Sequence, residues 1–248
     1  MIVHRGSFQL GNAPVLLQTL RDQLNCLVYP VHRLDQPTSG VILFGLNPSA
    51  AASMVDLFTR RQVGKYYQAF VRGWMHREGR LKIPLITGQA EFRSIPESLY
   101  VEKQNAITDY TTIRWYEIPD LRSDGLIDQF SLVEAQPRTG RWHQIRRHLK
   151  HVAHPIIGDY RHGDDRYTRW FETHLDIHRM LLAACYIEFR HPYSGEWVAI
   201  RSNRGEAFDT LLSQLSNREV PIRTDRIPQQ PSSQELDDEK FAIRSLKN

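Results

Sequence analysis

Asp35 lies in the stretch Val31-His32-Arg33-Leu34-Asp35-Gln36-Pro37-Thr38-Ser39-Gly40. An aspartate followed by proline, threonine, serine and glycine can simply open a turn, its carboxylate accepting nearby backbone N–H groups. The stretch also runs straight into an apolar segment, and loops carried on rigid strands are favoured places for catalytic groups. In that setting the carboxylate could serve as a nucleophile or a general base.

A second stretch, Pro137-Arg138-Thr139-Gly140-Arg141-Trp142-His143-Gln144-Ile145-Arg146-Arg147-His148-Leu149, carries the cations. Thr139-Gly140 has the chemistry of a tight turn into a helix. Trp142, Ile145, Leu149 and Val152 then recur at helical spacing and form an inward stripe. At about 100° per residue, Arg146 falls at the edge of that stripe, while His143 and Arg147 point more outward. An arginine beside a buried face needs an anion, because an unpaired buried charge is costly. Asp35 is a carboxylate that would gain from such a partner, which would orient it and keep it ionised. The plain reading is that Arg146 runs its stem along the core to water. A third stretch, Lys65-Tyr66-Tyr67-Gln68-Ala69-Phe70-Val71, reads as a strand. A tyrosine facing inward there is either core or a ring able to stack on an extruded base.

The histidines do not suggest a metal. His148, His151 and His154 recur every three residues and His174 and His178 lie four apart, but no HExxH pattern or paired cysteine accompanies them. No metal site is expected. Glycine-rich phosphate loops of the GxGxxG and GxxxxGK[ST] kinds are absent from the sequence.

The elements that must hold these residues mix strand and helix. Val41-Ile-Leu-Phe44 is short and apolar and predicts a buried strand. Asn47-Pro48 predicts an N-cap and first helical position, with a helix to about Arg60 carrying Ala51, Met54, Val55 and Phe58 on one face. Lys65 to Val71 predicts a strand with Tyr67, Ala69 and Val71 on one side and Tyr66, Gln68 and Phe70 on the other. Residues 76–105 show little pattern and predict a long loop or small insertion. Strands are expected at 110–117, 129–136 and 181–189. The last should form a hairpin with Trp197-Val-Ala-Ile200 through His191-Pro-Tyr-Ser-Gly-Glu196. A helix near 205–216 should bury Phe208, Leu211, Leu212 and Leu215. The hairpins favour an α+β fold, a mainly antiparallel sheet with flanking helices. Residues 1–216 are expected to form one catalytic domain. Residues 217–248, polar and rich in Pro, Gln and Ser near 228–234, are expected to form a flexible tail.

Bulk properties bound the function. The 248 residues are 41% hydrophobic, enough for a sizeable core. No apolar run approaches membrane-spanning length and the first residues lack the pattern of a secretory signal. Two distant cysteines, Cys26 and Cys185, fit a reducing compartment, so the cytoplasm is the default expectation. Net charge is +4 and the isoelectric point is about 9.1. Between Arg138 and His154 there are five lysines or arginines and no acid. Such a face suits contacts to phosphates, though it could equally be a solvated basic helix.

Five motifs together resemble the RluA-type family of pseudouridine synthases. His32-Arg33-Leu34-Asp35 with Thr38-Ser39-Gly40 is similar to the signature HRLDxxTSG. Lys65-x-Tyr67-x-Ala69 resembles the family's tyrosine strand, and Ala106-x-Thr108-x-Tyr110 its mid-chain element. Thr139-Gly140-Arg141-x-His143-Gln144-Ile145-Arg146 resembles TGRxHQxR, followed by His154-Pro155-Ile156-x-Gly158-Asp159. His191-Pro192-x-Ser194-Gly195-Glu196 resembles the closing HPxTGE hairpin. The matches fall in order across about residues 3–200. Val71-Arg72-Gly73-Trp74, Arg146-Arg147-His148-Leu149 and His162-Gly163-Asp164 bring the chain nearest the branch that modifies uridine 65 of tRNA. The sequence departs from the pattern twice. It starts almost at the family's Val-His pair, as Val3-His4, so the strand ahead of that pair is expected to be missing. Ala183 stands where many relatives have histidine.

The resemblance implies an enzyme that isomerises uridine to pseudouridine in RNA, working as a monomer without a cofactor. It implies Asp35 as the catalytic aspartate, Tyr67 as the active-site tyrosine and Arg146 as the basic partner of Asp35. Arg33 resembles the arginine that helps open the RNA stack. Arg138, Arg141, His143, Arg147 and Lys150 are the expected RNA-binding groups. Other readings are a ribosomal RNA enzyme of the same family and a non-catalytic RNA-binding or RNA-folding protein on the same fold. A hydrolase using Asp35 and a histidine is a further reading, and it would release free uracil.

Overall fold

The structure is a computed structural model and describes residues 15–86, 103–119, 121 and 126–222. In chain order its elements are α1 (Leu16–Leu24), β1 (Tyr29–Pro30), β2 (Ser39–Gly40), β3 (Phe44–Gly45), α2 (Pro48–Thr59), β4 (Val63–Arg72), β5 (Glu78–Lys82), β6 (Leu85–Ile86), β7 (Lys103–Gln104), β8 (Ile107–Ile118), β9 (Asp128–Pro137), α3 (Gln144–His151), α4 (Asp165–Leu175), β10 (Leu182–Arg190), β11 (Trp197–Arg201), α5 (Glu206–Gln214), a 3-10 turn and β12 (Glu219–Val220). The principal sheet follows the order β11-β10-β4-β9-β8-β12, with β2 beside β10 and β5 beside β8. Only the β2–β10 pair in it is parallel. The fold is the expected α+β architecture.

Side chains of a strand alternate between faces, and both faces of β4 and β9 are apolar. Phe70, Phe130 and Leu132 meet Tyr167 and Phe171 of α4 and Phe208 and Leu211 of α5 on one side. Ala69, Val71, Val133 and Ala135 meet Ile145 and Leu149 of α3 on the other. The Phe70, Phe130 and Phe171 rings pack with centroids 5.3 to 6.0 Å apart. Burial of each such ring is worth about 1.5–3 kcal/mol, so the sheet centre is a rigid base for what it carries. α2 forms a separate patch through Ala51 and Met54 against Ile187 and Phe189.

β4 pairs with β10 from Val63 to Ala69, but with β9 only from Tyr67 onward. Ahead of Tyr67 the two central strands part. Beyond Pro137, the last residue of β9, the chain turns through residues 138–143 into α3. This parting creates the space for a cleft at the middle of the sheet.

Some sequence expectations need correction. Val41 to Leu43 do not form a strand; only Phe44–Gly45 pair, with Tyr29–Pro30. The apolar run is instead pinned singly, Val31 N–H to Leu43 O and Val41 N–H to Ala184 O. A short apolar segment reads alike whether it joins a ladder or packs as irregular chain. Val55 is 42% exposed rather than on the buried face of α2. The stretch 76–105 contributes β5, β6 and β7; β5 buries one side chain, Leu81, so it carries no alternating signal. Ordered structure passes residue 216, since β12 pairs with Trp115 and Tyr116 of β8. The rest of the expected tail, 223–248, and the N-terminal residues 1–14 lie outside the described residues, as do 87–102.

Candidate active site

The loop bearing Asp35 is tied down at both ends. His32 Nε2 accepts the Leu43 N–H at 3.0 Å, and its ring stacks on Phe58 at 4.6 Å. Burial, with Lys65 nearby, pulls the His32 pKa down to about 4, so the ring is neutral and free to accept. Thr38 N–H closes a turn onto Asp35 O at 2.9 Å. Ser39 and Gly40 then pair with Ala183 and Ala184 of β10. Gly40 has φ +109°, and a Cβ there would sit 2.1 Å from Ala184 O. Only glycine tolerates both that conformation and that approach. Ala183 is fully buried at this contact.

The opposite wall is built around Gln144. Its Oε1 accepts from Thr139 Oγ1 at 2.6 Å and Arg141 N–H at 3.0 Å, and its Nε2 donates to Ile107 O and Thr108 Oγ1, each at 2.9 Å. The buried amide thereby fastens the turn at 139–141 to β8. α3 begins at this glutamine, not at Trp142. His143 adopts a left-handed conformation (φ 50°) that sets Trp142 outside the helix, stacked on His143 at 3.7 Å. Trp142 is thus a cleft residue and no part of the inward stripe.

From α3, Arg146 reaches across. Its Nη1 donates to Asp35 Oδ2 at 3.1 Å. Its other edge grips Asp159, Nε to Oδ2 at 2.7 Å and Nη2 to Oδ1 at 2.8 Å. Asp159 also accepts the backbone N–H groups of Arg161 and His162, each at 3.0 Å. A two-point grip fixes the guanidinium plane, so Asp159 aims Arg146 at Asp35. His143 stands on the other side of Asp35, Nε2 to Oδ1 at 3.8 Å, and its Nδ1 shares a 2.8 Å hydrogen bond with His162 Nε2.

Burial and charge act against each other here. Burial pushes the Asp35 carboxyl above the usual carboxylate range, although Arg146 and Arg33 pull it down. Arg146 and the backbone donors outweigh burial at Asp159 and hold it below that range. Burial, then Arg146, pull His143 down to about 3, and burial pulls His162 to about 4, so both rings are neutral. The Tyr67 hydroxyl is pushed far above its ordinary value by burial, then by Asp35, and stays protonated.

The cleft between these walls measures about 970 Å³ and takes in Arg33, Asp35, Tyr67, Arg138, Arg141, Trp142 and His143. Arg33 is exposed at its mouth. Arg138 is ion-paired with Asp109 at 2.7 Å, an acid from β8 that Arg80 also grips. Arg141 Nε donates to Asn105 O at 3.2 Å. Arg147 departs from expectation. It is 6% exposed, and its Nη1 donates inward to Ile86 O at 3.1 Å. The polar sequence of α3 suggested a wet face, but the chain at β6 covers that side. Lys150 is exposed and outside the cleft lining. His148 is spent on Thr108 and Ile83, and His154 on Arg72 O. Among the described residues no group of three or more His, Cys, Asp or Glu is placed to hold a metal ion, and no helix is long and apolar enough to cross a membrane. Sequence reasoning gave Asp159, His162 and Gln144 no function. They stood in recognisable motifs, but nothing local told which arginine, ring or strand each would meet.

A cleft lined by arginines and holding one perturbed carboxylate beside aromatic rings suits chemistry on nucleic acid. Fold and site together thus define a nucleic-acid-modifying enzyme. Comparison with known proteins narrows the class. The family profile described as RNA pseudouridylate synthase matches residues 1–151. A Vibrio cholerae serotype O1 protein named tRNA pseudouridine synthase C is 37% identical over 222 residues, 88% of this chain and 90% of that one. A protein of the same name from Pasteurella multocida is 39% identical over 203 residues, 81% and 82% of the two chains. The solved structure of Human RNA Pseudouridylate Synthase Domain Containing 1 superposes with a TM-score of 0.63 at 26% identity, covering 89% of this chain and 83% of that one. The chain belongs to the RNA pseudouridylate synthase family and isomerises uridine to pseudouridine in RNA.

Proposed function

We propose that the substrate is tRNA, that the target is uridine 65, and that Asp35 is the catalytic carboxylate, with the enzyme working as a monomer in the cytoplasm. The observation that carries the site assignment is the 3.1 Å contact from Arg146 to Asp35 inside the cleft. The tRNA reading draws on the names of the relatives that match most of the chain.

The reaction breaks the N1–C1′ bond of uridine, turns the uracil and joins C5 to C1′. The C5 hydrogen leaves as a proton and N1, freed from C1′, takes one up, so atoms and oxidation state balance. The base must first leave its stack, at a cost of about a few kcal/mol. Arg33 takes part in that opening, a role supported by its exposure in the cleft lining, while Arg138 and Arg141 meet the backbone. Asp35 then acts at the ribose, as nucleophile at C1′ or as the base that starts a glycal route. Arg146 stabilises its charge, and Tyr67 offers a ring to stack on uracil. Arg147, turned inward, has no part in holding RNA.

Asp35→Asn should abolish tritium release from RNA labelled at uridine C5 while leaving RNA affinity within about twofold. Substantial turnover by that variant refutes the assignment. Mapping pseudouridine in total RNA with and without the gene should show loss at tRNA position 65. Loss confined to ribosomal RNA would overturn the tRNA reading.

A further inference from the structure

The cleft does not end at Asp35 and Tyr67. It continues along β4 past Tyr66, Lys65 and Gly64 to Phe58 and Arg61 at the end of α2. Lys65 lies on the same strand face as Tyr67, about 7 Å along the chain. Its stem is half-buried, and among the described residues its ammonium forms no ion pair; it lies over the Phe58 ring, 5.9 Å from the centroid. The carboxylate nearest in sheet register, Glu188, is taken by two phenols, Tyr66 at 3.0 Å and Tyr186 at 2.8 Å. Gly64 leaves room for that carboxylate, since a Cβ there would fall 2.7 Å from Glu188 Cγ. Burial lowers the Lys65 pKa, so holding the cation here costs the fold. Arg61, also in the cleft lining, is exposed; its left-handed backbone (φ 59°) closes the end of α2, with Arg61 N–H donating to Phe58 O and Gln62 N–H to Leu57 O.

We propose that Lys65, with Arg61 at the rim, forms a phosphate subsite that holds the phosphodiester of the nucleotide next to the target uridine. The proposal rests on the RNA-modifying reading above. Lysine binds phosphate as a point charge with three donors. A uridine whose base lies on Tyr67 and whose ribose meets Asp35 directs one of its flanking phosphates along β4 toward Lys65. The site would grip the backbone beside the flipped nucleotide and be indifferent to the neighbouring base.

The test pairs one protein charge with one RNA charge. Lys65→Met removes the ammonium and keeps the stem, so the variant should melt no lower than wild type. It should bind substrate RNA about tenfold more weakly, with the slope of log affinity against log salt reduced by about one. Lys65→Arg should restore most of the affinity. RNA carrying a neutral methylphosphonate at one phosphate flanking the target should bind wild type as weakly as normal RNA binds Lys65→Met, and should cost that variant nothing further. If every flanking methylphosphonate weakens wild type and Lys65→Met by equal factors, the subsite is refuted even though wild type turns over RNA. If Lys65→Met unfolds, the same comparison is made with Arg61→Ala, where equal factors again refute it. A wild-type enzyme inactive on all RNA would overturn the parent reading instead, and the subsite with it.

Discussion

At the scale of single residues, the decisive group is Asp159. The Arg146–Asp159 pair is nearly fully buried, with side chains 4% and 1% exposed. Breaking such a pair by removing one charge costs about 3–5 kcal/mol. Asp159→Asn should therefore lower stability by about 3 kcal/mol, read by chemical denaturation. It should also cut turnover about a hundredfold by letting the guanidinium drift. Retained turnover would show that Arg146 needs no aiming. Asp35 behaves in the opposite way. Its folded carboxyl titrates above its unfolded value, so the folded state binds the proton more tightly, and stability falls as pH rises from about 4 through the raised value. A neutral isostere removes that cost. Asp35→Asn should melt at or above the wild-type temperature at neutral pH, and a clear drop would mean that the Asp35 charge is a net stabiliser. The acid limb of the pH–rate profile should correspondingly lie above the ordinary carboxylate range.

At the scale of elements, the site depends on two short joins. β2 is two residues long and holds the Asp35 loop against β10 only because Gly40 lets the backbones touch. Gly40→Ala should destabilise by more than about 1 kcal/mol and cost activity beyond what the lost stability explains, because relieving the clash moves Asp35. Full activity at low temperature would show that the loop is positioned from elsewhere. The other join is Gln144, whose four hydrogen bonds set the left-handed step at His143 and so the start of α3. Each join links residues more than 30 apart in sequence, one on each side of the cleft, which is why neither could be inferred from local spacing.

Across the whole molecule, one shared property is the number of neutral histidines that hold structure. His32, His148 and His162 titrate near 4 and His143 near 3 in the folded chain, each lowered mainly by burial. Unfolded, each titrates near 6.5. Protons therefore favour the unfolded chain as pH falls below that value, and the stability these groups contribute is present above pH 6.5 and lost toward pH 4 and below. Each can contribute a slope of up to about 1.4 kcal/mol per pH unit. His143 and His162 share a hydrogen bond, so they count for less than two. The melting temperature should drop steeply between pH 6.5 and 4.5, and a flat profile there would contradict neutral burial of these rings.

The sequence by itself determined the α+β class, the α2 cap at Asn47, the β4, β8, β9 and β10 strands and the β10–β11 hairpin. The elements follow from local rules: alternation, capping and turn chemistry. The cost of an unpaired charge pointed Arg146 at Asp35, and the resemblance to the RluA-type motifs added Tyr67 to that group. Tertiary structure alone decided that Asp159 grips Arg146, that Arg147 and His148 turn inward, that Val41 to Leu43 stay outside a ladder and that β5 joins the sheet edge. Each of these depends on which distant surface covers a residue. Burial, and with it the protonation of Asp35 and the histidines, is a property of that covering rather than of the residue or its neighbours in sequence.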